Sequence, residues 1–274
     1  MSRVCAKPRT RRYCSDSLIL SKNEGIVSEA SVSSCPSSSS DDSDSGTEPT
    51  RPFYRLKYTI PPKEENKAVN LDDLIYLTHK TTPDKTVIVY RNFLSASRIE
   101  KLVTLFRTDK SVFQIKDRKD DLYHAHKAYR VEVPLRTTYP KSYRKMMRTS
   151  ISICDSVWGD MREKNLRKNR VIPELEYIVY DIPDGTGRGT FIEPHVDNHS
   201  IVTGVVMLSE PDVEFQGGVN RFKGASSESS AENFREYKLG KGDLVLFRGE
   251  EVTHWITPVT RGKREILQWE LSRI

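Results

Sequence analysis

The chain has 274 residues with 36% hydrophobic and 30% charged side chains, a polar balance that fits a folded portion beside an unfolded one. The length holds one large domain or two small ones. A formal net charge of +6 permits an acidic partner without requiring one, and no apolar run approaches the length of a membrane span.

Residues 1–52 read as a disordered tail. Ser33-Ser-Cys-Pro-Ser-Ser-Ser-Ser-Asp-Asp-Ser-Asp-Ser-Gly46 has almost nothing to bury and cannot offset the entropy of ordering. Serines beside acids could make it a phosphorylated or docking segment, but a passive extension is the simpler expectation. Arg3, Lys7, Arg9, Arg11 and Arg12 give it a basic start, while Leu18-Ile-Leu20 is too short for a secretory core. Cys5, Cys14 and Cys35 lie in the tail, so Cys154 alone belongs to the folded part, as expected in a reducing compartment. The expected location is cytoplasmic or nuclear. An organelle transit peptide stays open, because residues 1–15 contain no acid.

A folded domain is expected over residues 53–274, with helical support over 86–173 and a strand-rich core over 174–274. Thr86-Val-Ile-Val-Tyr90 reads as a strand. Ser97 and Glu100 form a capping-box pattern ahead of Ile99, Leu102, Val103 and Phe106 at helical spacing. Ala128–Leu135 alternates as a strand would. Tyr143, Met147, Ile151, Cys154, Val157 and Met161 then mark the apolar face of a long helix. Its basic residues, such as Lys141, Arg144 and Arg148, avoid that stripe and read as a solvated back rather than a nucleic-acid footprint.

Short strands follow at Leu175–Tyr180, Ile201–Leu208, Val219–Phe222, Asp243–Phe247 and Glu265–Leu271. They are punctuated by Pro183-Asp-Gly185, Gly217-Gly218, Gly240-Lys-Gly242 and Arg261-Gly262. That pattern predicts an antiparallel sandwich or barrel with helices outside it.

The chemistry concentrates in four residues. His195 and Asp197 stand two apart, His254 follows the strand Asp243–Phe247, and Arg264 opens the last strand. Two imidazoles and a carboxylate are the ligand set of a facial triad for non-haem Fe(II), and an arginine can grip a carboxylate. Alternation puts Arg264, Ile266 and Gln268 on one face and Glu265, Leu267 and Trp269 on the other. If the first set faces inward, Arg264 is a cation in a mostly apolar cavity and needs an anionic partner. His124-Ala-His126 is read as surface, His199 as structural or as support to the triad, and Asp243 as a turn residue. Phe191 and Trp255 either line the pocket or pack. The Gly185–Gly189 run has no strand-to-helix context for phosphate binding.

The sequence resembles the iron- and 2-oxoglutarate-dependent dioxygenases, within them the prolyl and lysyl hydroxylase branch. The resemblance rests on His195-Val-Asp-Asn198, Phe215-Gln-Gly-Gly218 with Arg221-Phe222, Lys241-Gly-Asp-Leu-Val-Leu-Phe247, and Thr253-His254 through Pro258-Val-Thr-Arg-Gly-Lys-Arg264. It covers residues 174–274, with Asn92-Phe-Leu-Ser95 and the next helix less specific. It implies a mainly β fold with flanking helices around a double-stranded β-helix (jelly-roll) core. Fe(II) would sit on His195, Asp197 and His254, and 2-oxoglutarate would bind through Arg264 and Tyr180, with Tyr177 the alternative tyrosine. The implied reaction consumes 2-oxoglutarate and O2, releases succinate and CO2, and hydroxylates a C–H bond; ascorbate is a further candidate cofactor. A peptidyl or small-molecule substrate of prolyl or lysyl type is expected. A nucleic-acid substrate is a second reading, although Glu270 stands where resembling demethylases carry a second arginine. A non-catalytic iron or 2-oxoglutarate sensor is the third.

Overall fold

The computed structural model describes residues 58–59, 74–77, 87–115, 126–159, 170–182, 189–223 and 234–273. All of them belong to the unit Pro52–Ile274, one of two into which the chain divides. The expected tail, with its three cysteines, lies outside the described residues.

The strands are β1 (Tyr58–Thr59), β2 (Leu74–Leu77), β3 (Val87–Tyr90), β4 (Phe113–Gln114), β5 (His126–Arg130), β6 (Arg170–Ile182), β7 (Ser200–Met207), β8 (Phe215–Gly217), β9 (Asn220–Lys223), β10 (Phe234–Tyr237), β11 (Leu244–Phe247), β12 (His254–Ile256) and β13 (Val259–Ser272). The helices are α1 (Ala96–Thr108), α2 (Glu132–Thr138) and α3 (Pro140–Ile153), with a π-helical turn over Cys154–Trp158. The large sheet runs β2-β3-β11-β7-β13-β6-β5-β4, with β1 added to β6 and β8 to β13. The small sheet runs β10-β9-β12. Every pairing between these strands is antiparallel.

Period-2 alternation builds a two-sheet jelly-roll from these strands. The spine is β6 against β13, in register from Ile182↔Gly262 to Ile172↔Ser272. On one face Ile178, Val205, Phe247 and Ile266 meet Phe222 and Ile256 of the small sheet. On the other, Leu267, Trp269 and Leu271 pack with Leu102 and Phe106 of α1 and Met146, Met147 and Ile151 of α3. Trp269 has no exposed surface, and its Nε1 donates to Ser150 Oγ at 2.8 Å. Gly204 lies flat beneath it: a Cβ there would come within 2.3 Å of the indole. Behind Arg264, Glu265 accepts hydrogen bonds from Tyr177 and Arg107, locking β13 to β6 and α1.

Several local expectations shift. Ala128–Leu135 is strand only to Arg130. The chain then turns into α2, where Glu132 favours a first helical turn and Pro134 is tolerated there. The cap of α1 is Ser95 rather than Ser97, and its side chain makes no capping bond, so the capping box does not form. Helix α3 ends at Ile153, short of the predicted stripe, and Met161 lies outside the described residues. The last strand begins at Val259, not at Arg264. Arg261-Gly262 is a bulge within it: the register slips between Val259 and Arg261, and Gly262 takes φ 75°.

Candidate metal and ligand site

His195, Asp197 and His254 converge for a simple reason. Residues two apart on extended chain share a side, and His195 pairs directly with His254 through His195 N–H to His254 O (3.1 Å) and His254 N–H to His195 O (2.9 Å). Asp197 N–H bonds Gly249 O at 3.0 Å and continues the alignment. Three side chains therefore meet on one face, His195 Nε2 lying 3.5 Å from Asp197 Oδ1 and His254 Nε2 3.6 Å from Oδ2. One donor atom from each residue lies within 4.8 Å of the others.

The donor chemistry fits a divalent metal. His195 Nδ1 contacts Glu193 O at 2.7 Å and His254 Nδ1 contacts Val252 O at 3.0 Å. A carbonyl only accepts, so both Nδ1 atoms carry hydrogen and both Nε2 atoms turn toward Asp197. This is the outer support that metal-binding histidines use. Asp197 Oδ2 accepts from Thr203 Oγ1 at 2.6 Å, and Thr203 in turn touches Ser200 Oγ at 3.0 Å. Donors on neighbouring octahedral positions stand ~3 Å apart when bonds are about 2.1 Å, so small rotations close the set.

Burial sets the charge states. It pushes His254 down to about 4, against the opposing charge of Asp197. Burial also works against the His195 cation, but its contact with Asp197 outweighs this and raises it. For Asp197, burial would raise the carboxyl, yet His195, His254 and Thr203 together hold it low. At neutral pH the triad thus offers a carboxylate and a neutral His254.

The same cavity, about 490 Å³, is walled by both sheets, a volume usual for a small-molecule site. Arg264 lines it with 0% exposure. Its Nη2 donates to Asn220 Oδ1 at 3.2 Å, while Nε and Nη1 have no hydrogen-bond partner. The Tyr180 ring lies 5.0 Å from its guanidinium carbon. Burial drives Tyr180 up to about 12, keeping the phenol neutral, and pulls Arg264 below its usual range. Gly218, at φ 61°, makes room: a Cβ there would meet Arg264 Cδ at 2.6 Å. Arg264 is therefore an imperfectly satisfied buried cation in a cavity, the arrangement an anionic ligand would complete.

The two tyrosines separate cleanly. Tyr180 lines the cavity beside Arg264, whereas Tyr177 points to the helix side and bonds Glu265. Trp255 lines the cavity and Phe191 packs against the core beside it. Asp243 accepts from Arg91, Asn92 N–H and Gly240 N–H, tying the turn before β11 to the chain after β3. His199 is exposed at φ 70° and is not in the metal-type cluster. His126 is not the surface residue expected: it sits on β5, lines the cavity and stacks 5.4 Å from Tyr180. His124 lies outside the described residues.

Sequence reasoning missed Thr203, Asn220, Glu176 and Glu270. The first two act across strands whose register no local pattern encodes. Glu270 was reachable, because alternation from Arg264 carries through Ile266 and Gln268 to it. Burial, with Asp197, Glu176 and Glu174 nearby, pushes Glu270 up to about 8.

No protein-family model matches the chain, and no curated protein matches it. Solved structures that it resembles include a prolyl-4-hydroxylase from Pseudomonas putida, at 16% identity over 69% of this chain and 93% of that one, TM-score 0.47. Another is an oxidoreductase of the 2OG-Fe(II) oxygenase family from Burkholderia pseudomallei (12%, 69% and 86%, TM-score 0.45). A third is a viral collagen prolyl hydroxylase from Paramecium bursaria Chlorella virus-1 (13%, 69% and 96%, TM-score 0.42). At these scores the likeness carries no weight in assigning chemistry, and the strand order stands without it. Among the described residues, no helix is long and apolar enough to cross a membrane.

Proposed function

We propose that this chain is an Fe(II)- and 2-oxoglutarate-dependent dioxygenase that hydroxylates a C–H bond of a peptidyl or amino-acid substrate. One observation carries the reading: a His-Asp-His set with both Nε2 atoms turned to a common point shares a cavity with a buried arginine that has two unpartnered nitrogens. His195, Asp197 and His254 hold the metal. Arg264 binds the distal carboxylate of 2-oxoglutarate, with Tyr180 beside it and Asn220 fixing the guanidinium. Bound iron, with 2-oxoglutarate and O2, supplies the oxidation: succinate and CO2 leave, and one oxygen atom enters the substrate C–H bond.

The chain's own contribution is orientation and exclusion of water. Thr203 and the two carbonyls at Glu193 and Val252 keep the ligands aimed. Phe222, Val245, Phe247 and Ile256 line the cavity with apolar surface, where the arginine–carboxylate attraction is screened little. Ascorbate would act only as an external reductant, and no pocket is assigned to it. Glu176, Glu193 and Glu270, which line the cavity, disfavour a phosphodiester, so the nucleic-acid reading is set aside. A non-catalytic sensor is the reading that remains if binding occurs without turnover.

The test is succinate release. Purified chain with Fe(II), 2-oxoglutarate and O2 should form succinate slowly without substrate and faster with one, and His195→Ala should reduce this to background. Binding of both ligands without succinate in any substrate pool would move the assignment to the sensor.

A further inference from the structure

The cavity has electrically opposite ends. Arg264 lines one end, fully buried, and its Nε and Nη1 have no hydrogen-bond partner. Independently of anything at the mouth, this marks the space as one that takes a ligand. At the other end the wall is formed by Glu176, Gln268 and Glu270, with Glu193 exposed on the lip. Arg264 is the sole lysine or arginine among the described residues that line it.

Glu176 and Gln268 face each other across β6 and β13, and Glu270 lies opposite Thr203, the residue that bonds Asp197. The carboxylate end is therefore one strand away from the metal set. Arg130 reaches this wall from β5, but it is shared between Glu174 at 3.0 Å and Glu176 at 3.2 Å. Glu270 has the Gln268 amide as its neutral partner, Nε2 to Oε1 at 3.2 Å. A metal on the triad offsets Asp197 and leaves Glu270 beside the neutral Gln268 amide.

We propose that this end of the cavity binds a cationic group of the substrate, a lysyl- or arginyl-type ammonium or guanidinium, and thereby sets which C–H bond of its chain faces the His195–Asp197–His254 centre. The inference rests on the oxygenase reading and narrows its substrate class. A prolyl ring would leave Glu270 with its amide alone, half-buried among like charges. A bound cation supplies a counter-charge there and favours the ionised Glu270 carboxylate.

The probes are end-blocked, fluorescently labelled decapeptides of Gly and Ser with one central Lys, Arg, norleucine or Pro. Binding is read by anisotropy under nitrogen, using the full chain loaded with Mn(II) and 2-oxoglutarate. The Lys or Arg peptide should bind about tenfold tighter than the norleucine and Pro peptides, a preference that weakens with added salt. Glu270→Gln, and to a lesser degree Glu176→Gln, should erase most of the preference without weakening binding of the norleucine peptide. Glu270→Asp, which keeps the charge, should retain part of it and separates a charge effect from misfolding. Equal affinities, absent binding of the Lys and Arg peptides at millimolar concentration, or a preference that survives Glu270→Gln with Glu176→Gln overturns the inference. Binding of 2-oxoglutarate, measured alongside, keeps the two readings apart. If 2-oxoglutarate binds and no preference exists, the inference falls and the oxygenase reading stands. If 2-oxoglutarate fails to bind while Glu270→Gln still abolishes a cation preference, cation binding at this end stands but the oxygenase reading, and with it the assignment of the cation to a hydroxylated substrate, falls.

Discussion

Replacing Arg264 with Met should make the metal-free protein no less stable while destroying its grip on 2-oxoglutarate. Arg264 is fully buried, and two of its three guanidinium nitrogens have no hydrogen-bond partner. Exchanging poorly compensated buried charge for apolar side chain stabilises proteins by about 1–4 kcal/mol. Leaving Asn220 Oδ1 without its donor costs ~1 kcal/mol. The net is a gain of roughly 0–3 kcal/mol, which at about 2–4 °C per kcal/mol for a domain of this size raises Tm by up to about 12 °C. Ligand binding moves the other way. Two charge-assisted hydrogen bonds to a carboxylate contribute about 1.5–3 kcal/mol each, so their loss should weaken 2-oxoglutarate by roughly 100-fold to 10,000-fold. Differential scanning calorimetry of the apo protein and anaerobic calorimetric titration of the Mn(II)-loaded protein measure the two quantities. A Tm that falls by more than a few degrees together with less than a tenfold loss of affinity would refute the reasoning, because Arg264 would then be a structural cation.

Other substitutions probe separate links. Thr203→Val removes the donor to Asp197 Oδ2 at little cost in shape and should weaken metal binding by about 10- to 100-fold, read by competition with a chromogenic chelator; unchanged affinity would show that Asp197 is oriented without it. Glu270 is pushed up to about 8 by burial and by Asp197, Glu176 and Glu174. A raised carboxyl contributes stability that is present below its ordinary value and lost as pH rises through 8. The metal-free wild type should therefore lose Tm relative to Glu270→Gln between about pH 4.5 and 8, and parallel Tm curves would contradict this. Trp269→Ala empties a fully buried site between Gly204 and α3 and should cost about 3–5 kcal/mol, seen as a lower urea midpoint; a loss under 1 kcal/mol would mean that the core collapses around the gap.

Much of the site was legible because its logic is local. His195 and Asp197 share a face whenever their segment is extended, and alternation from Arg264 assigns Ile266 and Gln268 to the cavity without any knowledge of the fold. The pairing of His195 with His254, the bond from Thr203 and the Asn220 brace are long-range, so only the assembled sheets reveal them. His126 looked like a surface residue because its neighbours are polar, yet β5 is an added strand of the large sheet and its inner side reaches Tyr180. The errors at α1, α2 and β13 share a cause. Ser95, Glu132 and Gly262 mark real changes of direction, and the residues around them admit more than one boundary.

The central claim is that one metal and one 2-oxoglutarate occupy the cavity together. Anaerobic titration of 2-oxoglutarate into the full chain, with and without one equivalent of Fe(II), tests it most directly. The account predicts a single site whose affinity rises markedly when iron is present, and an iron effect that disappears in Asp197→Ala. The same affinity with and without iron, or an iron effect that persists in Asp197→Ala, would contradict it.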